Sequence, residues 1–442
     1  MPGSVADPRP GPLPARSGRV VIIALCGAGD RPVAELAGRT PLAAAPTPHL
    51  DALAARGSST CLEVISPGIP PESDSGAMSL LGYDPRRHYT GRGPLEALGM
   101  GFWDPEGSSV AFRINFASWD PGTGRLDRRT ARDLTDGELA ALVGELRAGV
   151  PPPEGVTVNL TGFARHRGIL SLTSRTRRLS GRVTNTDPGF DAQGPFGVPV
   201  ASPGRAPRRC APMVDDPAAA ATADLVNRFV AASAEVLERS EVNRARRRQG
   251  RLPANLLLVR DAGDNLPVLD PFRERTGLAL AMYGQVPAER GLAELIGARF
   301  VTSYPGRSAI TDYYAGLVAA LCADPAGVLF VHVKGPDEPG HDGRPHDKVA
   351  ALAAIDAGLI GPLAAALDPV DTLVVTCDHA TPCGLGIHSA DRVPATVAGP
   401  GTEPDPVDAF HERACAGGRL GVGHASDLLD LVLAHRERVS LP

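Results

Sequence analysis

The sequence predicts an α/β fold, and three short apolar runs carry this prediction. Val20–Leu25, Val328–Val333 and Thr372–Thr376 are rich in β-branched residues and too short to be typical helices. Each run ends in a polar or glycine-containing loop, and stretches with helical spacing lie between the runs. Continuous apolar runs are typical of strands buried on both faces of a sheet. Because ligands bind outside the carboxyl ends of such strands, we expect the functional site in the loops that follow them.

Length and composition limit the class of protein. At 442 residues the chain exceeds what one hydrophobic core usually holds, so we expect two domains. A net charge of -5 offers no basic field for nucleic acid. Seven scattered cysteines without a CxxC pair favour a reducing compartment. Residues 1–18 are rich in Pro, Gly and Arg and predict a disordered tail, not a signal peptide. The apolar runs are shorter than the roughly 20 residues of a membrane span, so we expect a cytoplasmic protein.

Two of the predicted loops contain residue types that bind metal ions. The loop after the second apolar run contains Asp337 and His341, and the loop after the third contains Asp378 and His379, followed by His388. Five carboxylate and imidazole groups are more than one tetrahedral site needs. They suit two divalent cations, roughly 3.5 to 4 Å apart, that share a substrate oxygen. Either loop taken alone is equally consistent with solvated polar residues.

A serine in an earlier loop is a candidate nucleophile. Ser73 lies in the loop Pro67–Gly76, and we predict a helix that begins near Ala77. Unpaired backbone amides at a helix start attract phosphate, which would bring a phosphoryl group to this serine. The simpler alternative is a residue that caps the helix. The loop that begins at Cys26 lacks the third glycine and the acidic residue of a dinucleotide fingerprint, so we reject a nucleotide site there.

The remaining elements follow from periodicity and from turn residues. Helical spacing predicts helices over residues 48–55, 134–146, 218–240, 288–296, 311–322 and 425–436. Alternation or short apolar runs predict strands over residues 156–160, 168–172, 255–259 and 393–397. Residues 187–217 are rich in Pro and Gly and predict a meander or a lid connection. Residues 241–251 predict a basic, solvated continuation of the preceding helix.

Several short motifs along the chain together carry a family resemblance. They are Asp30-Arg-Pro-Val, Thr40-Pro-Leu, Thr47-Pro-His-Leu-Asp51, Ser66-Pro-Gly, Ser73-Asp74, Gly82-Tyr-Asp-Pro85, Tyr89-Thr-Gly-Arg-Gly-Pro94, Asp337-Glu-Pro-Gly-His341-Asp-Gly and Asp378-His-Ala-Thr-Pro382. In this order the chain resembles the archaeal-type cofactor-independent (2,3-bisphosphoglycerate-independent) phosphoglycerate mutases, which belong to the alkaline phosphatase superfamily. The resemblance extends from about residue 19 to the end and is more specific than any single motif.

The resemblance implies a particular domain organisation. Residues 19–102 and 275–442 would form an alkaline-phosphatase-like three-layer core with a mostly parallel sheet, which binds the metal ions. Residues 103–274 would form a smaller inserted α/β (α+β) domain that holds the substrate during transfer.

The resemblance also implies an activity and roles for individual residues. The activity would be a phosphomutase reaction between 3-phosphoglycerate and 2-phosphoglycerate, through a phosphoserine on Ser73 and with two divalent cations, Mn, Zn or Mg. Asp337, His341 and His388 would bind one cation, and Asp378, His379 and Ser73 the other. Guanidinium groups suit the phosphate and carboxylate of a small phosphorylated carboxylic acid. The expected substrate-binding residues are Arg92, Arg113, Arg129, His166, Arg167 and Arg260.

The chain departs from the family pattern at a few positions. Cys26 stands where the family has an aspartate that binds the second cation. A thiolate there would shift the metal preference toward Zn, whereas a neutral thiol would leave the site weak or empty, and Asp30 is an alternative ligand. Glu72 stands where the family commonly has glycine, and Asn185 replaces an aspartate. An added carboxylate beside the nucleophile and a lost one elsewhere could retune substrate choice.

Cys26 and Glu72 keep two other functions open. One is a diverged phosphotransferase or phosphatase that acts on a phosphorylated or phosphonate acid in specialised metabolism. The other is a non-catalytic ligand-binding paralogue, which would have retained the ligand scaffold and lost turnover together with the second cation.

Overall fold

The computed structural model describes residues 18–128, 130–200, 204, 206–303 and 309–440. Apart from Gly18, the predicted disordered tail lies outside the described residues, and so does Arg129. The strands of the described residues are β1 (Val20–Leu25), β2 (Ser58–Leu62), β3 (Ser108–Asp120), β4 (Arg125–Asp127), β5 (Val156–Phe163), β6 (Arg167–Ser174), β7 (Phe190–Gln193), β8 (Phe196–Pro199), β9 (Leu256–Gly263), β10 (Leu280–Gly284), β11 (Arg299–Thr302), β12 (Val328–Val333), β13 (Thr372–Cys377) and β14 (Val393–Ala398).

The α-helices of the described residues are α1 (Pro41–Ala44), α2 (Pro48–Arg56), α3 (Ser73–Leu80), α4 (Pro85–His88), α5 (Arg92–Gly99), α6 (Asp136–Gly149), α7 (Pro217–Glu238), α8 (Glu241–Arg248), α9 (Phe272–Thr276), α10 (Pro287–Leu295), α11 (Ile310–Ala323), α12 (Asp337–His341), α13 (Pro345–Ile355), α14 (Gly361–Ala366), α15 (Glu412–Cys415) and α16 (Ala425–Ser440). The helices and strands predicted from periodicity are present, with ends that differ from the predicted ones by at most about four residues.

The main sheet confirms the predicted α/β fold. Its strand order is β11-β10-β12-β1-β13-β14-β2, so the three apolar runs of the sequence form adjacent strands. β1 pairs in parallel with β12 on one side and with β13 on the other. β14 runs antiparallel to both of its neighbours, which leaves the other six strands parallel to one another. All six residues of β1 are buried, as expected for a central strand covered by helices on both faces.

A second sheet has a different construction. β4, β3, β6 and β5 follow one another in antiparallel order, and β9 pairs with β3. Residues of these strands and of α6 and α7 form a hydrophobic cluster separate from that of the main sheet. We therefore propose that residues 103–274 form a separate inserted domain, and the two hydrophobic clusters support this proposal. The domain would be of α+β type.

One helical stretch of the described residues, residues 345–366, is long and apolar enough to cross a membrane, with a mean hydropathy of 1.8. The lengths of the apolar runs in the sequence predicted no such stretch. In the structure it consists of α13 and α14 joined by a π-helical segment, Asp356–Ile360. Its side chains Leu352, Ile355 and Leu363 are buried in the cluster of the main sheet. One face of the stretch is therefore packed against the core of the main sheet.

Three local predictions were wrong. The helix after Ser73 begins at Ser73 itself, because the polar residues that suggested a loop occupy its buried first turn. The segment Asp337–His341 forms the short helix α12 instead of a loop. The basic segment after α7 is a separate helix, α8, and its Arg246 is buried in an ion pair with Glu138 instead of being solvated.

Candidate active site

The register of the main sheet brings the predicted loops together. Leu25 at the end of β1 lies opposite Val333 at the end of β12 and opposite Cys377 at the end of β13. Because these strands are parallel, the residues that follow them emerge at the same edge. Cys26 and Asp378 follow two of these ends directly. This edge is therefore where the structure places the candidate ligands.

One group of possible metal ligands consists of Asp337, His379 and His388, whose donor atoms lie within 4.8 Å of one another. The His341 Nε2 atom is 3.5 Å from Asp337 Oδ1, so His341 lies beside this group. The resemblance assigned His379 to the other cation, but its ring stacks on His388 at 3.8 Å between centroids. A carboxylate with several imidazoles fits a divalent transition metal.

A second group consists of Cys26, His332 and Asp378, again with donor atoms within 4.8 Å of one another. The Cys26 Sγ atom is 3.6 Å from Ser73 Oγ and 3.8 Å from His379 Nε2. Burial, followed by the charge of Asp378, raises the pKa of the Cys26 thiol. A cation that binds through this sulfur would therefore release a proton.

The pKa shifts of Asp337, Asp378 and His379 suit a cation, whereas Glu72 and Asp337 raise the pKa of His388 against the effect of burial, so a cation there would displace a proton. Burial alone would raise the pKa of Asp378, but His379 and His332 hold it below its ordinary value. The pKa of Asp337 is lowered in the same way by its histidine neighbours, against the effect of burial. Burial lowers the pKa of His379 to about 3, so that its imidazole is neutral. Ionised carboxylates and neutral imidazoles are the forms that bind metals.

Ser73 is the first residue of α3, where backbone amides lack helical partners. Lys334 donates from Nζ to Ser73 Oγ at 3.2 Å and to Cys26 Sγ at 3.2 Å. This lysine was not among the residues predicted for the site. Two features of the sequence could have indicated it. Lys334 lies two residues after His332, so alternation along a strand would place both side chains on the same face. It is also one of only two lysines in the chain.

His332 was also missed as a site residue, although it was visible within its apolar strand. Its Nε2 atom is 2.7 Å from Asp378 Oδ2, and its Nδ1 atom forms a hydrogen bond with Glu289. Both partners are fully buried. The imidazole therefore links a candidate metal ligand to a second carboxylate and fixes the orientation of both.

Asp30 is placed away from both groups, which removes it as a substitute for Cys26. Its Oδ2 atom accepts from Lys348 Nζ at 2.8 Å, and its carboxylate also accepts from the Cys383 amide at 3.1 Å. Both side chains of the ion pair are buried. Asp30 therefore joins the first loop to α13 through its ion pair with Lys348 and belongs to neither candidate ligand group.

A cavity of about 150 Å³ extends from Ser73 toward the inserted part of the chain. It is lined by the predicted substrate-binding residues that the structure describes, namely Arg92 and, on that side, Arg113, His166, Arg167 and Arg260. A wider cleft of about 900 Å³ shares Lys334 and Arg167 with it and opens to solvent. The two parts of the chain therefore contribute opposite walls of one site.

Several donors in this cavity have no partner among the described residues. The Nε atoms of Arg113 and Arg260 and the Nδ1 atom of His166 are buried and lack hydrogen-bond partners there. Burial, followed by the charges of Arg167 and Arg132, lowers the pKa of His166 to about 2, so its ring is neutral. Unpaired buried donors are costly unless a ligand satisfies them. The arrangement suits a carboxylate or a phosphate.

Carboxylates hold the arginines in place. Arg92 forms ion pairs with Asp74 at 3.0 Å, with Glu96 at 2.8 Å and with Glu72 at 3.0 Å. Arg113 shares the Glu96 carboxylate at 2.6 Å. Asp74 and Glu96 are completely buried, whereas Glu72 lines the cavity. These ion pairs therefore hold the guanidinium groups of Arg92 and Arg113 in place before any ligand binds, as a preorganised anion site requires.

Comparison with known proteins places the chain in a family. A family model described as 2,3-bisphosphoglycerate-independent phosphoglycerate mutase matches residues 54–243. A protein of that name from Aeropyrum pernix is 37% identical over 414 residues, which cover 91% of this chain and 96% of that protein. Another from Methanopyrus kandleri is 38% identical over 431 residues, with 95% and 97% covered.

Solved structures give the same result for the fold. A protein of Pyrococcus horikoshii superposes with a TM-score of 0.73 at 28% identity, covering 96% of this chain and 99% of the other. The cofactor-independent phosphoglycerate mutase of Thermoplasma acidophilum gives a TM-score of 0.57 at 28% identity, with 94% and 99% covered. The alkaline-phosphatase-like fold is thereby confirmed. Since relatives of this similarity extend through nearly the whole sequence, the chain belongs to the family of 2,3-bisphosphoglycerate-independent phosphoglycerate mutases.

Proposed function

We propose that this protein is an isomerase that interconverts 3-phosphoglycerate and 2-phosphoglycerate, with Ser73 as the residue that carries the phosphoryl group. The observation that supports this most is the position of Ser73 Oγ. It lies 3.6 Å from Cys26 Sγ of one ligand group and 3.2 Å from Lys334 Nζ, and Ser73 lines a cavity that arginines and Asp337 of the other ligand group also line. A phosphoryl group at Ser73 and a carboxylate at the arginines would fill the two ends of this cavity.

The reaction consists of two transfers through the same serine. Ser73 Oγ attacks phosphorus in line, the bond from phosphorus to the substrate oxygen breaks, and the freed hydroxyl takes up the proton that the serine loses. Lys334 donates to Oγ and offsets negative charge that develops there. The arginines hold the glycerate by its carboxylate while it reorients. Its other hydroxyl then attacks the phosphoserine, and its proton returns to Ser73.

The two ligand groups fit divalent cations. Asp337, His379 and His388, with His341 beside them, would hold one, and Asp378 and Cys26, beside Ser73, would hold the other. Bound cations would lower the pKa of the serine hydroxyl and neutralise the phosphoryl oxygens. We place the protein in the cytoplasm, since free thiols are kept reduced there.

Turnover of 3-phosphoglycerate tests the proposed function directly. The purified protein, loaded separately with Mn, Zn or Mg, is incubated with 3-phosphoglycerate in the absence of 2,3-bisphosphoglycerate, and the mixture is followed by phosphorus NMR. We expect 2-phosphoglycerate to appear with at least one of these metals. Release of free phosphate would indicate a phosphatase instead. Ligand binding without any conversion would indicate a non-catalytic paralogue, and either result would overturn the proposal.

We expect Cys26 to shift the metal preference of its group toward Zn. A thiolate is a softer ligand than a carboxylate, so Cys26→Asp should move the bound Zn-to-Mn ratio toward Mn by roughly tenfold or more. Equilibrium dialysis against equal concentrations of the two ions, followed by elemental analysis, measures this ratio. Cys322→Ser is the matched control, because Cys322 is a free thiol outside both ligand groups. An unchanged ratio in Cys26→Asp would show that the sulfur binds no cation.

A further inference from the structure

Glu72 is the residue immediately before the proposed nucleophile, and its side chain faces the substrate cavity. It precedes the first turn of α3, and only 15% of its side chain is exposed. Among the described residues that line this cavity, the other acidic side chain is Asp337, which belongs to a metal-ligand group. Glu72 is therefore the carboxylate available to the organic part of a substrate.

The two oxygens of Glu72 have different surroundings. Oε2 accepts from Arg92 Nη1 at 3.0 Å, and this ion pair fixes the direction of the side chain. The partners of Oε1 among the described residues are Arg260 Nη1 at 3.9 Å and His388 Nδ1 at 3.8 Å, both beyond hydrogen-bond distance. Oε1 therefore retains the capacity to accept a hydrogen bond from a ligand.

The rest of this wall offers donors. Arg113 and Arg260 both line the cavity, and the Nε atom of each is buried without a partner among the described residues. Donors that suit a carboxylate thus lie beside one acceptor that suits a hydroxyl. That acceptor and Ser73 line the same cavity, so a hydroxyl bound to Glu72 would share this cavity with the transferring phosphoryl group.

We propose that Glu72 accepts a hydrogen bond from the free hydroxyl of the substrate and thereby selects phosphorylated hydroxy acids over phosphorylated acids that lack a hydroxyl. This proposal rests on the proposed function, because it assumes that the phosphoryl group lies at Ser73. Both phosphoglycerates carry a free hydroxyl on the carbon next to the phosphorylated one. 3-Phosphonooxypropanoate is 3-phosphoglycerate without its 2-hydroxyl and keeps the phosphate, the carboxylate and the carbon chain between them, so it is the matched probe.

Binding constants of these two ligands test the role of Glu72. Titration calorimetry on the metal-loaded protein should show that 3-phosphoglycerate binds roughly 10- to 100-fold more tightly than 3-phosphonooxypropanoate, the range for a hydrogen bond to a charged group. In Glu72→Ala the ratio of the two Kd values should fall to about 1, because the acceptor is gone while the donors remain. Glu72→Gln, which keeps the shape and one weaker acceptor oxygen, should give an intermediate ratio.

Glu338→Ala is the control for a general loss of negative charge. Glu338 lies at the mouth of the wider cleft, its side chain is 64% exposed, and it does not line the cavity. In Glu338→Ala the ratio of the two Kd values should equal that of the wild type. If Glu72 only supports Arg92, both Kd values will change by the same factor in Glu72→Ala and Glu72→Gln, and the unchanged ratio would overturn the proposal.

The outcome is separable from that of the proposed function. The ratio of Kd values does not require turnover, so a protein without isomerase activity can still show or lack selection for the hydroxyl. An active isomerase with the same ratio in wild type and Glu72→Ala would refute the role of Glu72 alone. Thermal unfolding of each variant shows whether it is folded, and Glu72→Gln provides the comparison if Glu72→Ala does not fold.

Discussion

Ser73→Ala is expected to lower the rate of phosphoglycerate interconversion by at least about 10,000-fold, because the group that accepts the phosphoryl is removed. The fold should be unaffected, since the hydroxyl contacts only Lys334 and Cys26 among the described residues. A coupled assay for 2-phosphoglycerate measures the rate. Intact-mass spectrometry of protein quenched during turnover should show one added phosphoryl group in the wild type and none in Ser73→Ala.

Ser79→Ala is the matched control for this experiment. Ser79 lies on the same helix, and its buried hydroxyl donates to the Val64 carbonyl at 2.7 Å, away from the cavity. It should reduce stability by about 1 kcal/mol and leave the phosphoserine detectable. Interconversion that persists in Ser73→Ala would show that another group carries the phosphoryl or that the transfer is direct.

Lys334→Gln is expected to lower kcat by roughly 100- to 1000-fold, with a smaller effect on KM. The ammonium lies 3.2 Å from Ser73 Oγ, so its charge acts where negative charge develops during attack. Its pKa is raised by Cys26, Glu289 and Asp378, although burial lowers it, so it is charged across the working range. Steady-state kinetics with 3-phosphoglycerate separates kcat from KM.

Arg165→Gln is the control for loss of a positive charge near the site. Arg165 lies at the mouth of the cleft, its side chain is 61% exposed, and it pairs weakly with Glu338 at 3.5 Å. It should change KM slightly through long-range attraction and leave kcat unchanged. Equal losses of kcat in both variants would contradict a direct role for Lys334 at the serine.

That the candidate metal ligands lie at one edge of the sheet could be predicted because their signal is local. Asp337 and His341 lie four residues apart after one strand, and Asp378 and His379 are adjacent after another. The strands themselves are continuous apolar runs, so their carboxyl ends can be read directly from the sequence. Which of these ligands share one cation could not be predicted in this way. His379 lies against His388, nine residues later in the chain, only because the chain returns to this edge of the sheet.

The residues that were missed share a different feature. Lys334 contacts Ser73 across 261 residues of sequence, and His332 bridges to Glu289 across 43. The residues of each pair are too far apart in the sequence to belong to one helix or strand. Hydrophobic periodicity therefore cannot predict that they are in contact. Likewise, the ion pair between Glu72 and Arg92 requires that α3 and α5 pack against the same cavity.

By itself the sequence determined the fold class, the ends of the central strands and the residue types present in their loops, because apolar periodicity and turn residues act over short stretches of chain. The tertiary structure decided which of those side chains meet. Adjacent parallel strands brought Cys26, Lys334 and Asp378 to one edge, and the inserted sheet supplied Arg113 and Arg260 opposite Ser73. Hydrogen bonds and charge pairs act over a few ångströms, so the chemistry of the site depends on distances that are fixed only when the remote segments pack together.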